Sequence, residues 1–212
     1  MARLKLDWRA TVPGMREVYE DLSQALAGSD FYLAGGTALA LLEGHRISVD
    51  LDLFSPTLND AEELLEDLEG SLKAETTVTS LGHKALDLEI SGVRVSLINY
   101  KYPLLQPTLK PRSKGLQLAN RDDIATMKLS AITNRGNRKD FIDFWVLIDR
   151  HRSLPDYLDL FKTKFSKRDV GHVVRSLVYF AEADDDPPLR LLEPISWGQV
   201  KTDLRAAVAG LL

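Results

Sequence analysis

The chain of 212 residues contains no cysteine. A disulfide framework and a thiolate metal centre are therefore both excluded, and the lack fits a reducing compartment. No run approaches the roughly 18 consecutive apolar residues of a bilayer-spanning helix, so no membrane association is expected. The opening stretch from Met1 to Arg9 has no apolar core of the kind a secretory signal requires. These features together read as a cytoplasmic protein. Charge of neither sign dominates: 27 Lys and Arg stand against 31 Asp and Glu, a formal net charge of −4. Net charge thus does not steer the chain to nucleic acid, and any RNA contact needs a local basic patch. Histidine is scarce, and His83, His151 and His172 share no ligand spacing, so no zinc site is expected. What is present, 44% hydrophobic and 27% charged residues, is ordinary globular composition with enough apolar mass to bury a core.

The first half alternates helix and strand. Met15, Val18, Leu22 and Leu26 recur at helical spacing, which predicts an amphipathic helix over 11–27 ended by Gly28-Ser29-Asp30. Phe31 to Ala34 reads as a short apolar strand running into Gly35-Gly36, with a short helix from Thr37 to Glu43. Ser48 to Phe54 alternates strictly, Val49, Leu51 and Leu53 on one side and Asp50 and Asp52 on the other. A helix over 58–72 with Asn59 as its N-cap follows. Three strands over 75–81, 84–90 and 93–100, joined at Gly82-His83 and Ser91-Gly92, form an antiparallel meander. The stretch from Tyr102 to Gly115, with Pro103, Pro107 and Pro111, reads as a linker. Beyond it the pattern turns helical: Asn120 caps a helix to about Asn134, and further helices are expected over 140–151, 153–165, 169–183 and 196–212. The expected fold is α/β (α+β), a mixed sheet with flanking helices over 1–115 and a helical domain over 116–212 that closes a cleft.

Two local patterns carry chemistry. Gly35-Gly36-Thr37 lies between a strand and a helix, where glycines allow a sharp bend and close approach to backbone N–H groups, and where a helix N-terminus favours phosphate. In Asp50-Leu51-Asp52, period-two geometry sets both carboxylates side by side on one strand face. Two like charges in a partly desolvated place call for a cation or protons, and such hard oxygen ligands suit Mg²⁺. Each pattern also has a plain structural explanation, an ordinary turn and an ordinary solvated strand face. In combination they place a triphosphate cradle beside a metal pair, which serves phosphoryl or nucleotidyl transfer. Two metal ions about 3.5–4 Å apart would clamp the attacking and leaving oxygens.

The run from Tyr32 to Ala40 with its Gly35-Gly36-Thr37, followed by Gly44-His45-Arg46-Ile47-Ser48-Val49-Asp50-Leu51-Asp52-Leu53-Phe54, closely resembles the AbiEii/AbiGii-type nucleotidyltransferase family, a branch of the DNA polymerase beta-like minimal nucleotidyltransferases. The resemblance continues in Asp123 to Ile132 and in Arg135-Gly136-Asn137-Arg138-Lys139-Asp140-Phe141-Ile142-Asp143. It implies that Gly35, Gly36 and Thr37 hold nucleotide phosphates, that Asp50 and Asp52 hold Mg²⁺ or Mn²⁺, and that Lys128 contacts the phosphates. It further implies Asp140 as an additional acid near the reaction centre, with Arg135 and Lys139 as supporting charges. The implied reaction moves an NMP from an NTP to an acceptor, an RNA such as tRNA or a protein. The family includes toxins of bacterial toxin–antitoxin and phage-defence systems, which implies a cognate antitoxin.

Other readings of the same residues stay open. Ile124, Met127 and Ala131 make a buried stripe with Lys128 at its edge, where a long cation rests its stem on apolar surface and turns its ammonium outward. Asp140 and Asp143, three apart at a helix start, also suit the helix dipole, and Asp143 reads as structural. His45 reads as a structural hydrogen-bonding group, and Arg46 as a partner for phosphate or for an acid. The basic tracts Arg135-Arg138-Lys139, Arg150-Arg152 and Lys162-Lys164-Lys167-Arg168 read as solvated helix ends that could guide RNA if they share a face. Polymerase beta-like enzymes commonly carry a third carboxylate on a neighbouring strand, where Ser96 stands here; Asp87, Glu89 or Asp140 are the candidates to compensate. Without one, the chain would be a nucleotide-binding protein of weakened turnover. An NTP-dependent transferase acting on a small molecule is the remaining alternative.

Overall fold

A computed structural model describes residues 4–112 and 115–211. Two compact units divide the chain: Met1–Pro103 with Pro107–Ala119, and Leu104–Gln106 with Asn120–Leu212.

The first unit is built on a six-stranded mixed sheet. In chain order its elements are α1 (Met15–Ala25), β1 (Tyr32–Leu33), α2 (Gly35–Glu43), β2 (Asp50–Ser55), α3 (Ala61–Glu69), β3 (Thr76–Gly82), β4 (Ala85–Ile90), β5 (Val93–Asn99) and β6 (Gln117–Leu118). The strands lie in the order β3-β4-β5-β2-β1-β6. Strands β3, β4 and β5 form the expected meander. Strand β2 joins β5 in parallel, β1 joins β2 antiparallel and β6 joins β1 in parallel. The core comes from the alternation. Leu51 and Leu53 of β2, Val95 and Leu97 of β5, and Leu86 and Leu88 of β4 are buried together. Helix α1 buries Met15, Val18, Tyr19 and Leu22, and the Tyr19 hydroxyl donates to the Leu116 carbonyl at 2.8 Å.

The second unit is helical: α4 (Arg121–Arg135), α5 (Arg138–Arg150), α6 (Leu154–Phe165), α7 (Gly171–Ser176), α8 (Ala181–Asp185) and α9 (Trp197–Ala209). Helix α4 packs against α5, α6 and α7. The Asn120 side chain caps it by accepting from Asp122 N–H. Leu104–Gln106 belongs here because the Leu105 and Gln106 N–H groups donate to the buried Asp123 carboxylate at 2.9–3.2 Å.

Four expectations are corrected. The cap of α3 is Asp60, which accepts from Glu62 N–H, rather than Asn59. The stretch read wholly as linker contains β6 and a bridge from Leu109 to Leu118, because a two-residue edge strand is too short to show a period. The helix expected over 169–183 is two short ones, interrupted where Phe180 turns its ring towards Phe141 and Trp197 at 5.1 and 5.6 Å. Finally, α4 is buried on several sides, so Met127 and Ala131 are only half-buried while Asp123, Ala125, Lys128 and Leu129 lie inside.

Candidate active site

In the first unit the expected phosphate cradle and carboxylate pair come together. Strand β1 runs antiparallel to β2, and the Ala34 N–H donates to the Asp52 carbonyl at 3.0 Å. The chain then turns directly into α2. Gly35 has φ +66°, a left-handed conformation, and a Cβ there would lie 2.8 Å from Asp52 Oδ2. A Cβ on Gly36 would lie 2.5 Å from the Arg46 guanidinium. The two glycines are thus required for separate reasons, one by backbone conformation and a carboxylate, the other by a buried cation. The first backbone bond into the helix runs from Ala38 N–H to the Ala34 carbonyl. The N–H groups of Gly35, Gly36 and Thr37 precede it, which is the arrangement that receives anions. Thr37 is 1% exposed, and its hydroxyl is committed to Ser48 Oγ at 2.8 Å and to the Asp50 carbonyl. Its side chain therefore ties α2 to β2, leaving its backbone for a ligand.

Asp50 and Asp52 stand on the open face of β2, half-buried, while Leu51 and Leu53 point into the core. Strand register turns this face into a grid. Asp50 pairs across with Arg94 and then Glu89; Asp52 pairs with Ser96 and then Asp87; Phe54 pairs with Ile98 and then Ala85. Arg94 Nη2 lies 2.7 Å from Asp50 Oδ1, and the arginine side chain is 70% exposed. The contact is an ion pair without hydrogen-bond alignment, and this enclosed carboxylate oxygen keeps unused acceptor capacity. Ser96 donates to Asp87 Oδ1 at 2.6 Å. No group of three or more acidic or histidine side chains able to hold a metal occurs among the described residues. Paired carboxylate oxygens are the hard donors that divalent cations such as Mg²⁺ take as ligands. His45 and Arg46 are both buried, and Arg46 Nη1 donates to the Ile47 carbonyl at 3.2 Å.

In the second unit Lys128, Arg135, Asp140 and Asp143 form one charge network. Lys128 and Arg135 are two helical turns apart on α4, and Asp140 and Asp143 are one turn apart on α5, so the two pairs present to each other. Lys128 Nζ lies 2.8 Å from Asp140 Oδ1 and 2.6 Å from Asp143 Oδ2, with both carboxylates fully buried. Arg135 forks onto Asp140 at 2.8 and 3.1 Å, its side chain 53% exposed. Burial alone would raise the Asp140 carboxyl, but the Lys128 and Arg135 cations outweigh it and hold its pKa below the ordinary value. The lysine is thus an interior cation between two carboxylates, where the sequence suggested a stem laid along an apolar edge.

The family described as "Nucleotidyl transferase AbiEii toxin, Type IV TA system" matches residues 17–209. The chain belongs to the AbiEii nucleotidyltransferase toxin family. It is a nucleotidyltransferase, an enzyme that transfers an NMP group. A relative from Aquifex aeolicus (strain VF5), the uncharacterized protein aq_aa25, is 34% identical over 180 residues, covering 81% of this chain and 84% of that protein. Among solved structures, MenT4, a nucleotidyltransferase toxin from Mycobacterium tuberculosis H37Rv, superposes with a TM-score of 0.64 at 18% identity over 93% of this chain and 82% of that one. JHP933 from Helicobacter pylori superposes with a TM-score of 0.61 at 17% identity over 98% and 93%. At these identities the structural likeness shows the shared fold.

Several residues of these networks escaped sequence reasoning. Arg94 is found only through strand register. Lys164, read as part of a solvated tract, is 2% exposed and lies 2.6 Å from Asp123, itself fully buried. Its signal was available: Tyr157, Leu158, Phe161 and Lys164 follow one helical stripe, and the first three are apolar and buried. Arg150 and Arg152 are likewise paired, with Glu193 and with Asp122.

Proposed function

We propose that this chain is a divalent-metal-dependent enzyme that transfers an NMP from an NTP to a hydroxyl of an RNA, acting as the toxin of a two-component system with a cognate antitoxin. The observation that carries the reading is the apposition of Gly35 to the Asp52 carboxylate, which sets phosphate-binding N–H groups against the metal-type acidic pair. The Gly35, Gly36 and Thr37 amides receive the β- and γ-phosphates, with the buried Arg46 guanidinium beneath Gly36 adding positive potential. Asp50 and Asp52 would hold Mg²⁺ or Mn²⁺, and Arg94, at 2.7 Å from Asp50 Oδ1, is the cation beside that position here. A cation held there would neutralise phosphate charge and so ease approach of the attacking hydroxyl. The acceptor oxygen forms a bond to the α-phosphorus, the α–β bridging bond breaks, pyrophosphate leaves and the hydroxyl proton passes to solvent. Within the second unit Arg135 is the half-exposed cation suited to a phosphate, and Asp140, itself held by Lys128, fixes its position.

The test uses the purified full chain with Mg²⁺, each α-labelled NTP in turn and total bacterial RNA, beside the Asp50→Ala/Asp52→Ala variant. The expected result is label on RNA, lost in the variant and in EDTA. Label on protein would replace the RNA acceptor with a protein one. Thermal stabilisation by NTP without label on any acceptor would sink the transferase role in favour of nucleotide binding.

A further inference from the structure

The open face of the sheet continues past the acidic rung into an apolar one. Two residues beyond Asp52, about 7 Å along the strand, Phe54 lies level with Ile98 and Ala85. From here a row of rings rises out of the core. Tyr32, the β1 partner of Phe54, is buried, with ring centroids 6.2 Å apart. Phe54 and Tyr100 are half-buried and meet edge to face at 5.4 Å. Tyr100 meets Tyr102 in the same manner at 5.4 Å, and Tyr102 is 41% exposed. Exposed Lys101 separates the two tyrosines in sequence. Exposed Lys84 lies at the same end of the sheet: its carbonyl accepts from Asn99 N–H at 2.9 Å, one residue before Tyr100.

A ring row serving only the core would end in cover. This one ends at the surface, at an end of the sheet that carries two exposed lysines, in continuity with the acidic pair. An unpaired nucleotide presents those needs in that order: a hydroxyl to the acids, a base to an aromatic or apolar surface, and flanking phosphates to lysines. The direction also fits in-line displacement. The phosphate cradle lies on the β1–α2 side of β2, so pyrophosphate leaves on that side and the attacking hydroxyl enters from the opposite, β5 side. Ile98, Ala85 and Tyr100 are on that opposite side.

We propose that the Phe54–Ile98–Ala85 rung together with Tyr100 and Tyr102 seats the base of the acceptor nucleotide of single-stranded RNA, with Lys84 and Lys101 on its backbone phosphates; the inference rests on the RNA-acceptor reading above. Fluorescence anisotropy of the full chain with a labelled unstructured 12-nucleotide RNA of U and C, and with a duplex of equal length, tests it. Wild type binds the single strand more tightly than the duplex. Tyr102→Ala and Tyr100→Ala each weaken single-strand binding about tenfold, in the range of one lost base–ring stack, while Tyr102→Phe keeps it. Lys101→Ala lowers the salt slope by about 0.7. Thermal stabilisation by NTP is unchanged in Tyr102→Ala, which shows that the fold and the cradle survive. Single-strand binding that stays within twofold in both alanine variants overturns the stacking site and leaves the RNA acceptor standing. Equal loss in Tyr102→Phe and Tyr102→Ala also overturns it, since the hydroxyl would then be the contact. Wild type that binds neither RNA and labels protein instead removes the acceptor reading, and this inference with it.

Discussion

Replacing Lys128 separates a chemical role from a structural one. Its ammonium lies between two fully buried carboxylates, at 2.8 and 2.6 Å, and is itself almost inaccessible. Together with Arg135 the four charges sum to zero. Lys128→Met leaves two buried carboxylates with one half-exposed guanidinium. Removing one partner of a buried pair costs roughly 3–5 kcal/mol. For a chain of this size each kcal/mol moves Tm by about 2–4 °C, so the midpoint should fall by about 10 °C. The double variant Lys128→Met/Asp143→Asn restores neutrality and should recover a good part of that loss, because the remaining carboxylate, Asp140, keeps its fork from Arg135. Differential scanning calorimetry of wild type, single and double variants gives the stability arm. Label transfer at a temperature well below the lowest midpoint gives the chemical arm. The expected outcome is a large Tm loss in the single variant, partial recovery in the double, and residual transfer that follows the intact fold and an ordered Arg135. A Lys128→Met protein with wild-type Tm and no transfer would refute the reasoning, since it would make the lysine a direct phosphate ligand that the fold does not need.

Two further outcomes follow from the same geometry. Gly35→Ala combines a left-handed φ with a Cβ 2.8 Å from Asp52 Oδ2, so urea unfolding should show a loss of about 1–2 kcal/mol and label transfer should fall well beyond that; unchanged transfer would detach Gly35 from the site. The Asp140 pKa is lowered in the folded protein by Lys128 and Arg135 against the opposing effect of burial. Its contribution to stability is therefore present above the unfolded carboxyl pKa, near about 4, and is lost as pH falls through the lower folded value. Tm measured from neutral pH downward should drop less steeply over that acid window in Asp140→Asn than in wild type, and parallel curves would show that the carboxylate is not held by its cations.

How much of this was legible in the sequence depended on period and on register. The alternating runs at Ser48 to Phe54 and after Glu75 announced a sheet with Asp50 and Asp52 on one face, and the fold bears this out from Asp50 onward, while Val49, expected beside Leu51 and Leu53, precedes the strand and is exposed. Gly35-Gly36 announced a tight entry into a helix. The reasons for each glycine lie in residues distant in sequence, Asp52 and Arg46, which a linear pattern does not connect. Helix α4 was legible as a helix from its Asn120 cap, but its surroundings were not. A helix packed by three others shows little amphipathic contrast, so Lys128 looked like an edge residue although it is interior, as Asp123 is.

Ser96 shows the point where reading along the chain ended. In sequence it stands as a serine where an acid was sought, and Asp87 and Glu89 are equivalent as replacements, both on one face of their own strand. Pairing breaks that equivalence. Asp87 falls on the same rung as Asp52 and Ser96 and accepts a 2.6 Å bond from the serine, while Glu89 falls on the rung of Asp50 behind Arg94. A one-residue slip between β4 and β5 would turn both acids to the core face, and that slip is opposed by the burial of Leu86, Leu88 and Ile90 on the other side. The hydrophobic residues of β4 therefore determine which acid stands two strands from the Asp50–Asp52 pair, and they do so through packing on the face that carries no chemistry.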